Sequence, residues 1–198
     1  MVYYLTILIL KIFFFFLFNI NVKGKENVPA EGPGILVSNH TSLLDAPLLA
    51  VTINRRLSAF AKKSVFNTKL KLWYLKNMGG IPVQSDKINR GLITKTKSIF
   101  DSGKLLMIFP EGKIYHGEEL GEFNDGFLRI AVQFDVPVIP AKIKGSEKLL
   151  VGNKKIPKPG KIEIAFGNPL KFDKSNGKLT KVEVQQAVEK IKIMIQKT

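Results

Sequence analysis

The stretch SNHTSLLDAP (38–47) places a histidine five positions before an aspartate in an otherwise apolar run. The chain has only two histidines, His40 and His116, so one at this position calls for a chemical reading. An imidazole beside a carboxylate can act as a general base. The carboxylate accepts a hydrogen bond from one ring nitrogen, fixes the tautomer and leaves the other nitrogen free to take a proton. Asp45 is close enough to curl back on His40 in this way. The nucleophile is then open. Ser38 and Ser42 are near in sequence and would complete a hydrolase-type triad, but neither lies in a Gly-x-Ser-x-Gly elbow. The simpler reading is a substrate hydroxyl deprotonated by His40. The competing reading is a histidine that only caps a helix.

A second stretch, LLMIFPEGKIYHGEELGEFNDG (105–126), runs from a continuous apolar segment into Pro-Glu-Gly and a charged loop. If its strand lies parallel to the one before His40, Glu111 leaves the sheet at the same end. Gly112 lets backbone N–H groups approach a ligand closely, although Pro-x-Gly is also an ordinary turn signal. His116 is expected to be a solvated loop residue. A metal site shared by His40 and His116 is not expected, because no ligand cluster accompanies them.

These residues need a scaffold, and the chain alternates strand-like and helical segments. GILVSN (34–39) reads as a buried strand that delivers His40, and Asp45 to about Ile53 as the helix behind it. RLSAFA (56–61) and GIPV (80–83) read as strands, and Val65–Lys76 as an amphipathic helix between them. Asp86 is expected to N-cap a helix that runs to Ser102, with Gly103 as its stop. LLMIF (105–109) has the continuous apolar character of a strand buried on both faces. GFLRIAVQF (126–134) is helical. VPVIPAKI (136–143) is a strand whose Pro137 and Pro140 predict an edge or a bulge. KIEIAFG (161–167) alternates as a strand. In the last helix (180–197), Thr180 and Glu183 form a capping box and Val184, Val188, Ile191 and Ile195 an apolar stripe. The expected fold is an α/β layer structure with a mostly parallel or mixed sheet flanked by helices, its reactive loops at the C-terminal ends of strands.

Composition narrows the partners. The 198 residues are enough for one domain with a real core. The absence of cysteine excludes disulfides, thiolate metal sites and a cysteine nucleophile. Lys and Arg outnumber Asp and Glu by 31 to 16, and so basic a surface attracts polyanions. The apolar N-terminus MVYYLTILILKIFFFFLFNINV, with Lys11 as its only charge, favours anionic membrane lipid over nucleic acid, for which no motif is present. Residues 1–22 are expected to form a hydrophobic anchor helix that spans the bilayer or lies in its interface. The lysines that follow place the body, residues 23–198, on the cytoplasmic side of the cell membrane.

Together these stretches resemble the glycerolipid acyltransferase family, in particular bacterial 1-acylglycerol-3-phosphate acyltransferases. Its Asn-His-x-x-x-x-Asp motif corresponds to Asn39, His40 and Asp45. Its Phe-Pro-Glu-Gly motif corresponds to Phe109, Pro110, Glu111 and Gly112. Gly79–Val83, Val136–Pro140 and Ala61-Lys62-Lys63 match further segments in order, so the resemblance covers about residues 23–170. It implies transfer of an acyl chain from acyl-CoA or acyl-ACP, as co-substrate, to the free hydroxyl of 1-acylglycerol-3-phosphate, giving phosphatidate, with no metal or bound cofactor. His40 would be the base and Asp45 its orienting partner. Asn39, Glu111 and Gly112 would contact the acceptor, and Lys62, Lys87, Arg90 or Lys113 would hold its phosphate. Three positions depart from the family pattern. Ser85 and Lys113-Ile114-Tyr115 stand where the family carries basic or polar elements, and Phe123-Asn124-Asp125-Gly126 lacks a lysine. These departures bear on the acceptor, so a different lysophospholipid or other acceptor lipid, or an inactive membrane-anchored binding module, are the alternatives.

Overall fold

The computed structural model describes residues 2–83, 90–115, 120–150, 156–172 and 179–198. Its seven strands are β1 (Phe18–Lys23), β2 (Gly34–Ser38), β3 (Leu57–Lys62), β4 (Gly80–Val83), β5 (Leu105–Ile108), β6 (Val138–Lys144) and β7 (Gly160–Phe166). Its helices are α1 (Val2–Leu17), α2 (Asp45–Thr52), α3 (Lys69–Asn77), α4 (Arg90–Asp101), α5 (Gly126–Phe134) and α6 (Lys181–Lys197). The strands form one mixed sheet in the order β1-β7-β6-β2-β5-β3-β4. Every neighbouring pair is parallel except β6 and β7. The α/β class and the helix-flanked sheet agree with the sequence.

Alternation of side chains along the central strands builds two cores. Leu36, Leu105, Met107, Ile139 and Ala141 face α1 and α2. Ile35, Val37, Leu106 and Val138 face α4, α5 and α6. Period-2 geometry requires this split, and it explains why Ile35–Val37 of β2 and all of β5 are apolar without interruption. The capping box of Thr180 and Glu183 is present at the start of α6, and Ile191 and Ile195 of its stripe are fully buried.

Two expectations are corrected and one is narrowed. The apolar run 1–22 is not one helix: it divides at Phe18, and FNINV alternates as strand β1 beside β7. The 16 residues of α1 span about 24 Å at ~1.5 Å rise each, against a hydrocarbon core of about 30 Å. Among the described residues no helix is long and apolar enough to cross a membrane. Tyr3, Ile7 and Phe14 dock α1 onto the domain core, while Leu5, Leu8, Ile9, Ile12, Phe15 and Phe16 remain exposed. Second, of the edge or bulge expected at its prolines, β6 shows the bulge and not the edge: it is an interior strand whose pairing shifts by one residue between Val138↔Leu170 and Ala141↔Phe166. Pro140 is accommodated because the β6–β7 ladder begins only at Ala141 and Phe166, and beyond it β6 bonds to Gly167 and Leu170. The missing N–H of Pro140 faces that lapse between them. Third, the segment expected as one helix from Val65 is a short 3-10 turn (Lys63–Phe66) followed by α3, which Thr68 caps. The N-cap assigned to Asp86 lies outside the described residues.

Candidate active site

The parallel run of β6, β2, β5, β3 and β4 brings five C-terminal strand ends to one edge of the sheet. His40 follows β2 by two residues, Glu111 follows β5 by three, Lys62 ends β3, and the segment from Gly145 follows β6. In open α/β sheets this is the edge where ligands bind.

Asp45 is the first residue of α2, is completely buried, and turns its carboxylate back toward the loop it has just left. Oδ2 receives the backbone N–H groups of Thr41 at 2.7 Å and Ser42 at 2.8 Å. The same oxygen lies 3.0 Å from Nδ1 of His40. A carboxylate only accepts, so Nδ1 donates in this contact, and in the neutral form of the ring Nε2 is a lone pair. Nε2 has no partner among the described residues, and the His40 side chain keeps 18% exposure, so the lone pair is reachable. Phe109 stacks on the imidazole with centroids 4.1 Å apart and planes 16° from parallel, which fixes the ring plane. Imidazole, carboxylate and stacking ring are therefore held in place by the fold.

Glu111 reaches the pair differently from expectation. Its carboxylate points inward and is nearly buried. It accepts the His40 backbone N–H at 3.2 Å and the Gly121 N–H at 3.4 Å. Burial pushes its pKa above the usual carboxylate range, and the hydrogen bonds from His40 and Gly121 oppose that shift. The His40 carbonyl also accepts the Tyr115 N–H at 2.7 Å. Glu111 thus fastens the loop after β5 to the loop that carries His40. Gly112 makes the turn with φ 68, a left-handed conformation suited to glycine. Asn39 is also turned inward. Its amide bonds both backbone groups of Ile143 at 2.8 Å, so it clamps β2 to β6 instead of presenting its carboxamide to a ligand.

Lys62 at the end of β3, Arg90 at the start of α4 and Lys113 just after Gly112 are all exposed. Among the described residues none bonds directly to His40 or Asp45. At the altered Phe-Asn-Asp-Gly position, Asn124 donates to the Pro110 carbonyl at 2.9 Å and closes the loop. Ser85, Lys87 and His116 lie outside the described residues. Sequence reasoning missed the stacking role of Phe109, whose place in a motif was visible but whose ring contact was not. It also missed Ser146, which no motif marks and which donates to Oδ1 of Asp45 at 2.6 Å.

The sheet edge carries a His–Asp pair, and among the described residues no serine hydroxyl bonds to the His40 ring. The family model described as Acyltransferase matches residues 19–144, and the chain belongs to that family. It is 27% identical over 152 residues to a Bacillus subtilis 1-acyl-sn-glycerol-3-phosphate acyltransferase, covering 76% of this chain and 73% of that one. A chloroplastic enzyme of the same name from Brassica napus is 26% identical over 160 residues, which are 79% of this chain but only 46% of the longer relative. The chain thus spans about half of that relative's length. The crystal structure of a 1-acyl-sn-glycerophosphate acyltransferase from Thermotoga maritima superposes with a TM-score of 0.75 at 26% identity, covering 96% of this chain and 78% of the other.

Proposed function

We propose that the chain transfers a fatty acyl group from an acyl thioester, on coenzyme A or acyl carrier protein, to the free hydroxyl of 1-acylglycerol-3-phosphate, giving phosphatidate. The observation that carries this is the 3.0 Å contact of His40 with Asp45, with Nε2 left open at the sheet edge. Nε2 takes the hydroxyl proton as the oxygen attacks the thioester carbonyl. Asp45 stabilises the imidazolium so formed. The carbon–sulfur bond then breaks, and the imidazolium returns its proton to the departing thiolate. No acyl-enzyme is needed. Lys62, Lys87, Arg90 or Lys113 would meet the acceptor phosphate.

Two apolar faces support action on a lipid at a membrane surface. The outer side of α1 exposes Leu5, Leu8, Ile9, Ile12, Phe15 and Phe16. On α3, which contacts α1, Leu70, Trp73 and Tyr74 occupy i, i+3 and i+4 positions and point away from the protein. Lys69, Lys71 and Lys76 surround them. An apolar stripe with Trp and Tyr, edged by lysine, suits the headgroup layer of an anionic bilayer. On this reading the domain lies at the cytoplasmic surface of the cell membrane.

The altered basic positions favour a second reading in which the chemistry is kept and the acceptor is a different lysophospholipid. The test is transfer of a labelled acyl chain, from acyl-CoA and from acyl-ACP, to lysophosphatidate and to a panel of other lysolipids. Preference for lysophosphatidate supports the first reading. Transfer only to another lysolipid replaces it with the second, and no transfer to any acceptor leaves a binding module.

A further inference from the structure

The two oxygens of Asp45 are held from different parts of the chain. Oδ2 faces the loop of residues 40–42, which moves with Asp45 itself. Oδ1 is held from 101 residues away, where Ser146 Oγ donates to it at 2.6 Å. We propose that Ser146 is a positioning residue for the reaction, locking Asp45 in the orientation in which Oδ2 meets His40. The proposal rests on the reading of His40 as the base.

A carboxylate held at one oxygen can still turn about its Cβ–Cγ bond; a donor on each oxygen fixes its plane. Ser146 is fully buried, and it opens the 3-10 turn Ser146–Lys148 that follows β6. The turn before it is demanding. Gly145 has φ 98, and a Cβ there would come within 2.4 Å of the Lys161 carbonyl oxygen. The Gly145 N–H donates to Glu147 Oε2 at 2.8 Å, which holds the turn closed. Since the Ser146 proton goes to the carboxylate, its lone pair accepts from the Thr41 hydroxyl at 3.2 Å. The result is a directed chain, Thr41 O–H to Ser146 O–H to Asp45. With the Asn39 amide on Ile143, it clamps the catalytic loop to the end of β6 at two points. A serine needed only to fill this corner would not require a donor aimed at the catalytic carboxylate.

The test compares wild type, Ser146→Ala and Ser146→Cys as purified full chains. The cysteine is close to serine in size and carries a weaker donor, so it serves if the alanine variant does not fold. Per folded molecule, loss of one hydrogen bond to a charged group is expected to lower kcat about 10- to 100-fold in Ser146→Ala, with the cysteine variant between. KM for donor and acceptor should stay within about twofold, because no substrate contact is removed. A wild-type kcat in both variants, or a loss confined to KM, overturns the proposal. A second readout needs no substrate: the downfield proton resonance of His40 Nδ1–H, assigned by its absence in His40→Ala. It should move in the Ser146 variants, and an unmoved resonance overturns the proposal. Wild type that transfers to no lysolipid would sink the acyl-transfer reading alone, and the resonance would still decide the role of Ser146.

Discussion

Asp45→Asn separates the charge of the acid from its geometry. Three donors converge on Oδ2: Thr41 N–H, Ser42 N–H and His40 Nδ1–H. An Asn side chain cannot aim its NH2 at three donors, so its oxygen must take the place of Oδ2. The NH2 then faces Ser146 Oγ, whose proton can rotate away so that it accepts. Every hydrogen bond is kept in some form, and the fold should be little disturbed. What disappears is a full negative charge beside the imidazolium of the transition state. With charge centres about 4 Å apart and an effective dielectric constant of ~20, that attraction is worth about 4 kcal/mol. At ~1.4 kcal/mol per decade this is about a 10³-fold fall in kcat. The assay is steady-state acyl transfer with both substrates varied, alongside thermal melting. The expectation is a fall of about three decades in kcat, with KM and the melting temperature near wild type. An Asp45→Asn enzyme within tenfold of wild-type kcat would refute the argument that Asp45 stabilises charge on His40.

Glu111 makes stability depend on pH. Its folded pKa is raised by burial, so its contribution is fully present below its unfolded pKa and is lost as pH rises through the folded value. The melting temperature of wild type minus that of Glu111→Gln should therefore fall across that rise; a difference independent of pH would contradict it. Thr96 has a buried hydroxyl with no partner among the described residues, so Thr96→Val should stabilise by about 1 kcal/mol in denaturant unfolding, and destabilisation would show an unseen partner. Trp73 is the only tryptophan and is 55% exposed. Its emission should shift to shorter wavelength on anionic vesicles and much less on neutral ones or at high salt; emission unchanged by anionic vesicles would remove α3 from the membrane surface.

Much of this scaffold was legible because local pattern and tertiary environment agree. GFLRIAVQF is α5 over the expected residues, and LLMI is a strand covered by both cores. The His40–Asp45 pair could be read because five residues across a strand-to-helix corner leave few other partners. β1 was hidden: the short alternation of FNINV follows a far stronger run of phenylalanines, and its pairing strand β7 lies more than 130 residues away. Pro140 marked the register shift on the β7 side of β6, but proline alone does not tell such a shift from a sheet edge. The inward turn of Glu111 and the reach of Ser146 depend on how separate loops stack on one sheet edge, which no spacing encodes. Arg55 was likewise silent in the sequence, yet its guanidinium bonds the carbonyls of Pro29 and Gly103 and ties the loop before β2 to the one before β5.

The central claim is that His40 Nε2 removes a proton from the acceptor hydroxyl. The most direct measurement is the rate of labelled acyl transfer to lysophosphatidate by wild type and His40→Ala, purified together and matched for folded fraction. The account predicts transfer by wild type and a fall of at least about 10³-fold in the variant, with thioester binding retained. A His40→Ala protein that transfers acyl chains at the wild-type rate would contradict it.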